Sequence, residues 1–319
     1  MSTNPEVLCA GIIVADHVCI PISHVPAAGE LVMAEGMILT IGGCAANTAV
    51  DLVKMGVRTA VAGRVGGDIF GRIVADLLKE HRVDVSGLQI SPQADTSQTM
   101  IVNVVGQDRR FIHTFGANAE FSAADIRPEL LAGCRLLYVG GYLLMPNVRA
   151  AELAEVFAKA RAAGVKTVVD VATPGPGDYL SRLVKLLPHV DVFLPNNHEA
   201  EMITGEKDPV RQAESFHRLG VGTAVITMGG DGCVLVSGRE RLRAGVYPVQ
   251  FVDGSGGGDA FDAGYIYGLL NDLGTEDCLR FASALGASCV RAVGTTPGVF
   301  TRGECEDFIK KHPLRIERL

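Results

Sequence analysis

Short apolar runs alternate with stretches of helical periodicity along most of this chain. Strand-like runs fall at 7–14, 59–62, 136–139, 166–170, 190–194 and 224–227. Between them, residues 71–82 carry Ile73, Val74, Leu77 and Leu78, and residues 150–163 carry Leu153, Val156, Phe157 and Ala160. Spacings of three and four place each set on one face of a helix. Alternation of strand and helix units predicts a mostly parallel sheet covered by helices on both faces, a three-layer α/β/α architecture.

Two segments break that rhythm. Residues 17–40 hold Pro21, Pro26 and several apolar residues without helical period, and 96–116 read as a β-hairpin turning at 106–109. Neither has a helix to cover it. Together they predict a small antiparallel sheet outside the main layers, suited to act as a lid or as a dimer contact. No internal repeat or linker divides the rest, so residues 1–319 are expected to form a single domain carrying this lid.

Composition narrows the class. A formal net charge of -7 lacks the basic stripe of a nucleic-acid surface. No apolar run reaches membrane-spanning length, and no signal-peptide pattern opens the sequence, so a cytoplasmic protein without membrane partners is expected. The cysteines, eight in number, are scattered singly without CxxC or Cys/His spacing. That pattern suggests reduced thiols rather than a zinc site or a disulfide framework.

The richest chemistry lies in residues 251–261, FVDGSGGGDAF, where Gly254, Gly256, Gly257 and Gly258 precede Asp259 and a helical stretch. A glycine run opening a helix leaves main-chain N–H groups unpaired, and the helix dipole favours an anion there. A carboxylate beside such a cradle repels the phosphate it would hold unless it handles a proton. The pairing points to phosphoryl transfer to a hydroxyl, with Asp259 as base. A plain strand–turn–helix joint accounts for the same glycines. Walker A spacing is absent, and the dinucleotide fingerprint fits poorly because Asp259 stands where a third glycine belongs.

Other constellations are weaker singly. Gly42, Gly43 and Asn47 open a second predicted helix, where glycines admit a ligand to the backbone and Asn47 offers donors and an acceptor. The same residues suit a turn and a helix start. Asp16 is expected at the end of the first strand, a common ligand position in open α/β sheets. Asn196 and Glu199 share one helix face; they form a capping box or, near phosphates, organise water around Mg²⁺. Thr227, Gly229 and Gly232 lie between two strand-like runs, as a nucleotide pocket wall or as a tight hairpin. The histidines lack metal-ligand spacing, and no GxSxG elbow occurs.

In this order (GGxxxN, NxxE, TxGxxG, then DGSGGGD) the motifs resemble the ribokinase-like, or PfkB, family of carbohydrate and nucleoside kinases. The resemblance runs from Asp16 to about Gly294. It implies an ATP-dependent, Mg²⁺-requiring phosphotransferase with Asp259 as general base and the N–H groups of Gly256, Gly257 and Gly258 as anion hole. Asn196 and Glu199 would serve Mg²⁺. Thr227, Gly229, Gly232 and Ser283 would neighbour ATP, and Asp16, Gly42, Gly43 and Asn47 the acceptor hydroxyls. Lids in several members also pair to make homodimers. The chain departs from the family's DTxGAGD at Gly254 and Gly257. The threonine lost at Gly254 weakens a K⁺ site around Asp253.

Cys44 replaces the lysine of the ribokinase GGKGAN motif, and GGYLLMP at 140–146 lacks the ribokinase glutamate; both count against ribose. An uncharged sugar or polyol is the expected acceptor. A nucleoside stacked on Phe111, Phe115 or Tyr142 is the alternative, as is a non-catalytic sensor on the same fold. Asn103, Arg109, Arg110 and Asn118 are possible polar contacts from the lid, although hairpin arginines are more often solvated. The helix start is expected to hold Asp259 at a low pKa.

Overall fold

β-Branched and other apolar residues make the parallel core strands, because a strand sandwiched between helix layers must bury both of its faces. The computed structural model describes residues 4–107 and 109–319. The elements run β1 (Val7–Gly11), β2 (Val14–Cys19), β3 (Met37–Gly42), α1 (Cys44–Lys54), β4 (Thr59–Gly66), α2 (Ile69–Glu80), β5 (Asp84–Ser91), β6 (Gln98–Val102) and β7 (Arg110–Thr114). Then come α3 (Pro128–Leu131), β8 (Leu136–Gly140), α4 (Ala150–Ala162), β9 (Lys166–Val169), α5 (Leu180–Leu183), β10 (Val192–Phe193), α6 (Asn197–Thr204) and α7 (Pro209–Arg218). The chain closes with β11 (Thr223–Thr227), β12 (Cys233–Ser237), β13 (Glu240–Ala244), α8 (Gly257–Leu270), α9 (Thr275–Cys289), α10 (Arg302–Lys311) and β14 (Ile316–Arg318).

The main sheet has the order β14-β13-β12-β11-β10-β9-β8-β1-β4-β5. It is parallel from β11 to β5 and antiparallel from β11 out to β14. β1 shows the sandwich directly. Val7 and Cys9 enter the core shared with α1, α8 and α9, while Leu8 and Ala10 enter the core shared with α4 and α7.

The small lid sheet is ordered β3-β2-β6-β7. Its outer pairs are antiparallel, but β2 and β6 run parallel, so the lid is mixed rather than wholly antiparallel. The hairpin turn expected at 106–109 falls within the β6–β7 connection, and Asp108 lies outside the described residues.

The apolar run 7–14 is not one strand. The chain leaves the main sheet at Gly11, whose φ of 134° and close approach to Gly140 exclude a side chain. Asn118 clamps the crossover, donating from Nδ2 to Ile13 O at 3.0 Å and accepting the Ile13 N–H at 3.2 Å. Asp16 therefore belongs to the lid strand β2 and does not end the first strand of the main sheet. Among the described residues no helix is long and apolar enough to cross a membrane.

Candidate active site

The α8 N-terminus is built by backbone geometry. Gly256 adopts φ 74°, and a Cβ there would overlap Thr295 O. Further along, Gly264 and Gly268 let α9 lie close, since Cβ atoms would fall 2.5 Å from Phe281 O and 2.7 Å from Cys278 Sγ. The helical ladder starts with Ala260 N–H donating to Gly256 O at 2.9 Å, and Gly257 N–H has only a long 3.4 Å approach to Gly254 O. The N–H groups ahead of Ala260 have no intrahelical acceptor and face the anion position of a helix start.

Asp259 stands in this first turn, three helical residues in. Asn47 on α1 donates from Nδ2 to Asp259 Oδ2 at 2.8 Å, and Thr295 Oγ1 donates to Asn47 Oδ1 at 2.9 Å, fixing the amide's orientation. The Thr48 hydroxyl donates to Asp259 O at 3.3 Å. Asp259 keeps a solvent-facing edge, yet surrounding protein strips enough water to raise its pKa; hydrogen bonds from Asn47 and Cys44 oppose that rise. Desolvation outweighs those hydrogen bonds, and the expectation of a lowered pKa is corrected: the pKa is raised, which makes the group a stronger base than an ordinary aspartate.

Beside it lies the start of α1. Gly43 is its N-cap with φ 90°, and a Cβ there would come 2.5 Å from Ile12 O. A Cβ on Gly42 would overlap the Asp16 carboxylate, so glycine at 42 is what lets Asp16 lie across the strand. Asp16 is 5% exposed. Burial pushes its pKa up to about 7, against a hydrogen bond from Thr99 and with help from the Asp259 charge. Asp16, Gly42, Gly43, Asn47 and Asp259 thus converge at the junction of lid and main sheet.

On the other side of the α8 start is a cavity of about 480 Å³. Thr227, Gly229, Gly232 and Ser283 line it, together with Gly254, Gly257 and Gly258, Val246 and Ala287, and Arg109 from the lid hairpin. The apolar walls suit a flat ring, and the glycines leave main-chain groups open at one end.

Asn196 and Glu199 do form the capping box of α6. Asn196 Oδ1 accepts the N–H groups of His198 and Glu199 at 3.0 and 2.9 Å, and Glu199 Oε2 accepts Asn196 N–H at 3.0 Å. Asn196 also bridges Thr227, which sets the cap beside the cavity wall. Glu199 is buried, and its pKa is pushed up to about 7 by burial despite the Asn196 hydrogen bonds, with the Asp259 charge adding to the rise. Asp253 accepts Ser255 N–H at 2.9 Å and Gly294 N–H at 3.0 Å, so both carboxylate oxygens hold the glycine loop.

Asp170 was not singled out by sequence. It is buried just past β9, and burial together with the charges of Glu199 and Asp259 holds its pKa well above the carboxylate range. Donor atoms of Cys44, Asp170 and Asp259 all lie within 4.8 Å of one another. The available signal was its place at the C-terminal end of a parallel strand. In the reverse direction, Asn103 and Asn118 were candidates for substrate contact but are spent on main-chain groups of Cys19 and Ile13. Tyr142 is buried with its hydroxyl donating to Arg182 O at 2.9 Å, so it is no stacking platform.

A carboxylate in the first turn of α8, the main-chain N–H groups of that helix start and an adjoining cavity are the parts that a phosphotransferase acting on alcohols needs. The pfkB family carbohydrate kinase model matches residues 4–302. The chain therefore belongs to the pfkB family of carbohydrate kinases, ATP-dependent enzymes that phosphorylate sugars. It is 29% identical over 311 residues to ribokinase of Haemophilus influenzae, covering 94% of this chain and 97% of that protein. It is 26% identical over 307 residues to the probable fructokinase-7 of Arabidopsis thaliana, covering 90% of each. Its fold is similar to that of Arabidopsis thaliana ribokinase complexed with ribose and ATP, with a TM-score of 0.81 at 23% identity over 97% of this chain and 99% of that one.

Proposed function

We propose that the chain transfers the γ-phosphoryl group of ATP to a hydroxyl of an uncharged sugar or polyol, with Asp259 as general base. One observation carries the reading: Gly257 and Gly258 line the cavity while Asp259, the next residue of the same helical turn, is hydrogen-bonded to Asn47 on the acceptor side. The nucleotide lies along Thr227, Gly229, Gly232 and Ser283. Asp16 and Asn47 take the acceptor's hydroxyls, and Gly42 and Gly43 let it approach the main chain. Phosphoryl transfer has a loose transition state, so alignment and charge stabilisation by the N–H groups of Gly256, Gly257 and Gly258 supply most of the rate. Asp259 accepts the hydroxyl proton as the new P–O bond forms.

Mg²⁺ fits beside Glu199. Burial and the charges of Glu199 and Asp259 raise the pKa of Asp170, and the Asp259 charge adds to the rise that burial causes at Glu199; a divalent cation relieves that repulsion. Asn196 and Glu199 would help to hold the ion through its water, and the ion would supply positive charge against the phosphates. Asp253 does not fit a K⁺ site well, since each of its oxygens already accepts a main-chain N–H. We assign it to holding the loop.

The acceptor reading draws on two supports. The relatives above are named ribokinase and fructokinase, and Tyr142 is withdrawn from any base-stacking role. One face of the lid sheet exposes Met37, Met100 and Ile112, an apolar set suited to pairing with a second lid in a homodimer. Unpaired buried thiols suit a reducing cytoplasm. A coupled ADP-release assay with ATP and Mg²⁺ against sugars, polyols and nucleosides tests the function. Turnover on sugars that is lost in Asp259→Asn supports it, and activity on nucleosides alone overturns the acceptor class.

A further inference from the structure

We propose that Thr295 is a positioning residue that ties the lid to the general base. Its single hydroxyl proton is shared between the lid strand β3 and Asn47, so the place of one governs the orientation of the other. The proposal deepens the kinase reading above and rests on it for the role of Asp259.

Three observations converge. First, the hydroxyl has one proton and two acceptors. Thr295 Oγ1 lies 3.0 Å from Ile41 O and 2.9 Å from Asn47 Oδ1. A hydroxyl donates once, so a stronger bond to either oxygen weakens the other. Thr295, Ile41 and Asn47 are all buried, and water does not make up the difference.

Second, the two acceptors lead to opposite sides of the site. Ile41 O and Gly42 N belong to one planar peptide group, and Gly42 packs against the Asp16 carboxylate. Any shift of β3 at the acceptor side therefore moves the oxygen that Thr295 reaches. On the other side, Asn47 Nδ2 donates to Asp259 Oδ2 at 2.8 Å. With the Thr295 proton on Asn47 Oδ1, the amide is held with its N–H toward that carboxylate. With the proton on Ile41 O, two bare oxygens face each other across 2.9 Å. Turning the amide relieves that repulsion and takes its N–H away from Asp259.

Third, the Thr295 main chain is held still. A Cβ on Gly256 would overlap Thr295 O, and Cys289 Sγ donates to the same oxygen at 3.1 Å. Lys54 Nζ donates to Thr296 O and Val299 O in the following residues. The loop is thus fixed by α1, the start of α8 and the end of α9, which leaves the hydroxyl rotor as its free coordinate.

The test uses the full chain with Thr295→Val, Thr295→Ser, Asn47→Ala and the Thr295→Val/Asn47→Ala pair. Thr295→Ala, which removes the hydroxyl without branching, repeats each measurement. The Gly42 backbone amide is followed by heteronuclear NMR in the ligand-free protein, because a hydrogen bond accepted by Ile41 O polarises that peptide and shifts the Gly42 nitrogen downfield. Asn47→Ala frees the Thr295 proton for Ile41 O, so the signal should move downfield in the parent and stay in place in the Thr295→Val background. Thr295→Val alone should move it upfield, and Thr295→Ser should leave it near the parent position. Kinetics are read with ATP and the acceptor found in the panel. Thr295→Val should lower kcat on the order of tenfold, with KM for ATP little changed. Serine should restore most of that loss, and the loss should nearly vanish in the Asn47→Ala background. An equal Gly42 shift with and without the Thr295 hydroxyl, additive kcat losses, or an unchanged kcat in Thr295→Val would each overturn the assignment. If no acceptor in the panel is turned over, the kinase reading fails, while the Gly42 signal still decides whether Thr295 couples the lid to Asn47.

Discussion

Asn47 and Asp259 are 212 residues apart in sequence, and the amide of one donates to the carboxylate of the other at 2.8 Å. This bond joins the acceptor side of the site to the helix that carries the anion cradle. It also favours the charged form of Asp259 against desolvation. Asn47→Ala should therefore lower kcat roughly 10- to 100-fold, the cost of a lost hydrogen bond to a charged group. It should also move the acid limb of the pH–rate profile to higher pH, because the Asp259 pKa rises further. Asp259→Asn should lower kcat by about 10²–10⁴-fold with a smaller effect on acceptor KM. A pH profile that Asn47→Ala leaves in place would show that the bond does not tune the base.

Stability should depend on pH in a direction opposite to that of most carboxylates. Asp16 titrates at about 7 instead of 3.8, and Glu199 at about 7 instead of 4.5. Folding raises both values, so the folded protein holds these protons more tightly than the unfolded chain. Their stabilising contribution is complete below about pH 4 and is lost as pH rises through about 7. The Tm of the ligand-free protein, followed by calorimetry, should fall as pH rises through that window. Asp16→Asn should flatten the fall and raise Tm on the alkaline side, while weakening acceptor binding. An identical pH slope in the variant would remove Asp16 from this account.

The main sheet was legible in the sequence because parallel strands buried on both faces leave continuous apolar runs. The crossover within 7–14 was not, since Val7–Gly11 and the first residues of β2 are equally buried and differ only in which sheet they join. Motifs built from consecutive residues were likewise readable: the structure gathers Asp16, Gly42, Gly43, Asn47 and Asp259, and sets Thr227, Gly229, Gly232 and Ser283 around one cavity. Asp170 was invisible because one acidic residue after a strand carries no local pattern. Its role comes from neighbours at 44, 199 and 259. Asn118 misled for the converse reason, since a polar residue after a hairpin gives no sign that both its amide atoms are taken by Ile13.

Glu199 has two roles that one substitution can separate. Glutamine at the third helical position preserves a capping box but removes the charge. Glu199→Gln should leave thermal stability at neutral pH nearly unchanged or slightly raised, because a buried carboxylate is replaced by its neutral isostere. The concentration of Mg²⁺ needed for half-maximal turnover should rise several-fold, and kcat should fall. Titrating Mg²⁺ at fixed ATP checks this. An unchanged Mg²⁺ requirement would return Glu199 to helix capping alone.

Gly42 and Asp16 make the most exacting case, because the space one leaves is the space the other fills. Alanine at 42 puts a methyl group into the Asp16 carboxylate. Val14 pairs with Gly42, and Asp16 with Thr40, in the antiparallel ladder of β2 and β3, so neither main chain retreats without opening the lid. Overpacking of this kind costs about 1–3 kcal/mol, and displacing the carboxylate takes away a hydrogen-bonding group for the acceptor. Gly42→Ala should therefore lower Tm and raise acceptor KM on the order of tenfold or more, a hydrogen bond to a charged group being at stake, while affinity for ADP stays as it was. Asp16→Ala in the same chain should recover the lost stability, since the methyl group then has room, and should leave acceptor binding as poor as before. Recovery of both stability and acceptor affinity in the double variant would mean that Asp16 is a packing neighbour of Gly42 and not a ligand for the sugar.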